Sequence, residues 1–177
     1  AAGLGRLNAK PGVLELRDSG VALLGDPAWL GRVPAWRAGD VSAEERLLLL
    51  ENRGFELLAA HAAHAGPAPA SRLERLAARH AVLKTCADLA AVLDLESGEL
   101  PLGTAARVAC ARRRLASEPA LETLRSTRLD ALWTAALAWR AGGVEESADG
   151  AAEWHAAAAA WVAVWRHATR VVPGAQG

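Results

Sequence analysis

SRLERLAARHAVLKTCADLAAVLD, running from Ser71 to Asp94, reads as a helix made for the interior, and the rest of the chain is organised around it. Ser71 is an N-cap residue, and Glu74 three positions on completes a capping box that satisfies the first orphan amides. Leu73, Leu76, Leu83, Ala87 and Ala90 follow at helical spacing and define a face turned toward a core. His80, Lys84 and Asp88 succeed each other at i, i+4, so a base, an ammonium and a carboxylate line one side of that helix.

The surrounding composition agrees with a helical protein. Of 177 residues 52% are apolar, mostly Ala and Leu, an inventory that favours a mainly α fold. Twenty basic residues balance twenty acidic ones, so no global field draws the chain to nucleic acid or to an anionic membrane, and a charged ligand has to be met by a local patch. Two of the twenty cations are Lys, Lys10 and Lys84, which singles out an ammonium in mid-helix. Cys86 and Cys110 lack metal-ligand spacing and read as buried free thiols. No apolar run reaches the length of a bilayer span and no charged-then-apolar leader opens the chain, so the expectation is a soluble, cytoplasmic protein without membrane contact. With no Met, the chain is expected to be processed or to be a piece of something longer.

In order, residues 1–40 form an expected N-terminal strand element and linker, and residues 41–177 a helical bundle domain. Val13–Asp18 alternates apolar and polar, and Val21–Gly25 is a second apolar run. Together they predict two short strands or one kinked strand, an element that needs a sheet to join. Asp26-Pro27 predicts one helical turn, and Ser42 with Glu45 opens a helix to about His64, ended by Gly66-Pro67. After the central helix, Thr104 starts a short basic helix ending at Arg112-Arg113-Arg114. Ser117 to Pro119 opens another to about Arg140, and Ala151–Arg170 is the last, with Trp154, Trp161 and Trp165 on one side. Short loops between helices make an antiparallel bundle with a small N-terminal strand element the economical architecture.

Three stretches, GVALLGDPAWLGRVP (20–34), LLLLENRGFELL (47–58) and VLKTCADLAAVLDLESGELPLGTAARV (82–108), taken in this order, resemble the distal, C-terminal helical part of the nucleotidyltransferase superfamily with a polymerase-beta-type catalytic lobe. The resemblance implies a region that binds the acceptor, a small molecule or a protein, and closes over an NTP. Lys84 then lies toward the triphosphate, with Arg53 and Asp88 in the same nucleotide-binding set, and Glu15 is the strand-borne acid near the catalytic magnesium ions. The family's Gly-Ser followed by two carboxylates one residue apart does not occur in these 177 residues. Magnesium therefore enters only if a catalytic lobe is supplied by a preceding portion or by a partner chain. Glu99-Leu100-Pro101 occupies the loop where the family carries an aromatic residue.

Each of these residues also has a plainer role. Lys84 and Asp88 suit an i, i+4 ion pair, Arg53 suits a buried bridge between helix ends, and His80, the candidate general base, suits a satisfied core position. Arg75 and His80 also match the Arg-x4-His spacing of the HEPN ribonucleases, a resemblance implying RNA cleavage across a homodimer. Arg112 to Arg114 suits either a polyanion or the C-terminal end of a helix dipole. The Trp stripe suits core or interface, which leaves a non-enzymatic module docking a partner through its Trp-bearing helices as the competing class.

Overall fold

The computed structural model describes residues 7–65, 70–143 and 145–171. Among the described residues seven α-helices follow in order: α1 (Pro11–Ser19), α2 (Ala43–Ala65), α3 (Arg72–Glu96), α4 (Thr104–Ser117), α5 (Glu122–Arg125), α6 (Leu129–Gly142) and α7 (Gly150–Val171). Short 3-10 turns stand at Pro27–Arg32, Ala38–Asp40 and Pro119–Leu121. The fold is mainly helical, as composition predicts, and no strand occurs among the described residues. The expected stop of α2 at Gly66-Pro67 lies outside the described residues.

α3 is the centre, packing against α2, α4, α6 and α7. From Val82 to Leu95 it is buried on nearly every side, as a helix surrounded by others must be. Its capping box forms as read: Ser71 Oγ accepts from the Glu74 amide at 3.3 Å, and the Glu74 carboxylate accepts from the Ser71 amide at 2.6 Å. Leu83, Ala87 and Ala90 are buried as expected, whereas Leu73 is 76% exposed. On α6, Trp133 is fully buried and its indole N–H donates to the Cys86 carbonyl at 2.9 Å. On α7, the indoles of Trp154 and Trp161 donate to the Leu57 and Leu50 carbonyls of α2 at 2.7 and 2.8 Å. In each of these three Trp, one buried and two part-buried, the single donor finds a backbone partner. Gly54 makes room for this: a Cβ there would meet the Trp161 ring at 2.7 Å.

Two expectations are corrected. Val13–Asp18, read as a strand, is helical. Pro11 stands at the first helical position with its φ already suited to a helix, and among the described residues no second strand offers hydrogen bonds. The helix turns Leu14 into a small second core with Ala9, Val41 and Leu95, while Val21, Leu23 and Leu24 are exposed and outside regular structure. The helix expected over Ser117 to Arg140 is broken near Ser126-Thr127. There the Ser126 and Thr127 hydroxyls donate to the Thr123 and Leu124 carbonyls, competing with the helical ladder. Arg125 Nε fixes the short α5 by donating to the Leu115 carbonyl at 2.6 Å.

Candidate functional site

Four of the candidate residues, Glu15, Arg53, Lys84 and Asp88, belong to one seam of charge that runs along α2 and α3 to α1 and α4. Lys84 Nζ lies 3.0 Å from Glu56 Oε1, and Arg53 Nη1 lies 2.5 Å from Glu56 Oε2. Arg53 Nε stands 3.4 Å from Asp88 Oδ2, an attraction between charges rather than a hydrogen bond. Beyond Asp88, Arg107 of α4 pairs with Glu15 of α1 and donates through Nε to the Pro101 carbonyl at 2.9 Å. Glu56 and Arg107 were missed by sequence reasoning. Glu56 had a signal, since it follows Arg53 at i+3; Arg107 had none beyond a cation in the first turn of a helix.

The i, i+4 pair between Lys84 and Asp88 does not form. Each takes its partner from α2, because that helix lies alongside and offers Glu56 to one and Arg53 to the other. Burial pushes the Asp88 carboxyl above its ordinary value, more than Arg53 and Lys84 pull it down, and Glu15 adds to the rise. The seam is neutral as a whole, three cations against three acids, so it has no unmatched charge at rest.

Lys84 and Glu56 stand at the lip of an open groove of about 630 Å³ between α2 and α3. Its walls are mostly alanine, including Ala59, Ala63 and Ala77, and His80 reaches it from α3. The His80 ring also meets Trp139 edge-on, centroids 4.9 Å apart, and it takes no part in the charge seam. Arg75 is held elsewhere, by Glu146 at 2.9 Å and by the Ala70 carbonyl, so it and His80 serve different neighbours. Five residues along a helix separate two side chains by about 140°. The Arg112–Arg114 run is likewise divided: Arg112 binds Asp130 and Thr134, both at 2.6 Å, and Arg114 clasps Glu118 at 2.6 and 2.8 Å.

Glu15 is not strand-borne, and its carboxylate is taken by Arg107. Among the described residues no group of three or more His, Cys, Asp or Glu side chains is arranged to hold a metal ion. A second charged cluster lies at the far end of α3. Asp94 is fully buried, with both carboxylate oxygens lacking a hydrogen bond among the described residues, and burial raises its pKa to about 6. Cys110 donates to Glu99 Oε2 at 3.1 Å, and its thiol is pushed up to about 12 by burial and by Glu99 and Asp94. Both cysteines are free and buried.

No family model matches the chain, and no curated protein and no solved structure gives a match. Among the described residues no helix is long and apolar enough to cross a membrane.

Proposed function

We propose that the chain is the helical, nucleotide-facing region of a nucleotidyltransferase-like protein, with Arg53 and Lys84 as its phosphate-binding pair. The observation that carries this reading is Glu56. Its two oxygens bridge the guanidinium of Arg53 and the ammonium of Lys84 at the mouth of an open groove, a position that two oxygens of a phosphate chain can take over. Arg suits bidentate contact with phosphate and Lys supplies a point charge. Arg53 and Lys84 come from two of the three stretches that carry the resemblance, and they meet although 31 positions apart. In this reading the alanine-walled groove takes the rest of the nucleotide or the acceptor, and His80 is the base at its wall.

The frame we infer is an antiparallel bundle of α2, α3, α6 and α7. Facing pairs support it: residue 53 with 88 and 56 with 84, 80 with 139 and 86 with 133, 50 with 161 and 57 with 154. Numbers rise along one helix as they fall along its neighbour. Magnesium belongs to this reading only with a catalytic lobe supplied by a preceding portion or by a partner chain.

The test is a thermal shift of the chain with a panel of NTPs, with and without magnesium, beside Lys84→Ala. Ligand binding to the folded state raises the midpoint by mass action. The expected result is a rise with at least one NTP that Lys84→Ala reduces; no rise with any nucleotide rejects the reading. RNA cleavage by the chain, lost in His80→Ala, would favour the ribonuclease alternative instead.

A further inference from the structure

Arg53 carries an unfinished contact. Its Nε–H is buried and has no hydrogen-bond partner among the described residues, although Asp88 Oδ2 faces it at 3.4 Å. A charge-assisted hydrogen bond closes to about 2.8 Å, so the pair stands roughly half an ångström short. Glu56 Oε2 meanwhile takes Nη1 of the same guanidinium at 2.5 Å. Two acids therefore share one arginine through different nitrogens, and they are not equivalent. Glu56 lines the α2/α3 groove, is the more exposed of the two and sits one turn from Arg53 on α2. Asp88 comes from α3 and stands outside the groove's lining.

We infer that Asp88 is the positioning residue of the phosphate-binding arginine: when a phosphate takes the place of Glu56, Arg53 closes onto Asp88 through Nε and keeps Nη1 aimed at the groove. This rests on the nucleotide reading of that groove. A guanidinium presents five donors in a rigid fork, so one edge can hold a carboxylate while another nitrogen meets phosphate. Arg53 also needs a second holder. Its side chain is only 12% exposed, and a guanidinium that deep requires a partner when Glu56 swings away. Asp88 is the other acid within ion-pair distance among the described residues. Being anionic, it repels a phosphate and acts only through Arg53. Lys84 lies one turn before it on α3, so the same stretch of helix sets the ammonium and, through Asp88, the guanidinium.

The test is nitrogen-edited NMR of the arginine Nε–H signals with ATP, GTP, CTP or UTP, that of Arg53 being assigned by its loss in Arg53→Lys, beside calorimetric titration of the same nucleotides. A bound NTP is expected to move the Arg53 Nε–H signal downfield and to slow its exchange with water. In Asp88→Ala neither change is expected, and affinity should fall about tenfold. The sign separates positioning from plain Coulomb attraction, under which removal of an acid beside a phosphate tightens binding. Asp88→Asn keeps the side chain's volume, guards against a folding defect and is expected to weaken binding likewise, whereas Asp88→Glu should restore it. In the Arg53→Lys background, Asp88→Ala should no longer weaken binding, because lysine has no fork to hold. NTP binding that leaves the Arg53 Nε–H signal unmoved overturns the inference while the nucleotide reading stands, and so do Asp88→Ala and Asp88→Asn proteins that bind as tightly as the parent or tighter. A parent that binds no NTP overturns both.

Discussion

Asp88 and Asp94 stand six residues apart on α3 and illustrate two fates of a carboxylate in one helix. Asp88 is half-buried, has Arg53 and Lys84 beside it, and belongs to a seam in which each charge can be met by another or by water. Asp94 is fully buried, its oxygens make no hydrogen bond among the described residues, and its neighbours are Cys110, Arg114, Glu99 and Arg107. Burial raises both carboxyls, that of Asp94 to about 6. The difference teaches that partly exposed, reciprocally paired charges are exchangeable, and so suited to a ligand, whereas a sealed carboxylate is a fixed cost to folding.

The largest effect expected from breaking this comparison is in the pH dependence of stability. For Asp94 the folded state keeps a proton that the unfolded chain releases above its ordinary value of 3.8. Its contribution is therefore full below 3.8 and is lost as pH rises through about 6. Urea unfolding of the parent should show stability falling over that window by on the order of 3 kcal/mol. Asp94→Asn should flatten this part of the profile; a parent profile already flat between those values would contradict the account. Next, Arg53→Ala leaves Asp88 and Glu56 without their guanidinium. It should cost about 2 kcal/mol, less than the loss of a fully buried pair because the seam is partly wet. Adding Asp88→Asn to Arg53→Ala should recover part of that cost, and a purely additive double mutant would deny the coupling.

Smaller still is Lys84→Ala. Both Lys84 and Glu56 are about one-third exposed, so removal should change stability by no more than about 0.5 kcal/mol. A nucleotide effect of that variant is then a binding effect. Smallest in stability terms is the thiol at the sealed end. With Cys110 pushed up to about 12, a thiol reagent at neutral pH should label native protein far more slowly than denatured protein. Fast labelling of the native chain would show that the Asp94 end opens.

What the sequence made legible was local. The capping box of α3, the Leu83, Ala87 and Ala90 part of its apolar face and the one-sided Trp series of α7 depend on neighbours within a few positions, and they formed as read, whereas Leu73 did not bury. The N-terminal strand was misread because alternation over six residues suits either structure, and Pro11 at the first helical position with an apolar seat for Leu14 decided it. In the site, the residue types on α3 were visible but their partners were not. Lys84 and Asp88 look self-sufficient at i, i+4, yet α2 lies close enough to divide them. Asp94 was read merely as the end of a helix, since nothing local shows that α4 brings Cys110, Arg107 and Arg114 beside it. Leu58 and Phe55 show the converse: both are large apolar residues that face solvent, while Leu50 and Leu57 of the same helix are buried toward α7.

The most direct test of the central claim, that Glu56 holds the place of a phosphate between Arg53 and Lys84, is calorimetric titration of an NTP into the parent, Glu56→Gln and Lys84→Ala. Glu56→Gln removes the competing charge and should tighten binding by roughly tenfold, while Lys84→Ala should weaken it by a similar factor, each about 1.4 kcal/mol. Opposite signs are the predicted result. Two variants that change affinity in the same direction, or leave it unchanged, would contradict the claim and return the seam to an internal role between α2 and α3.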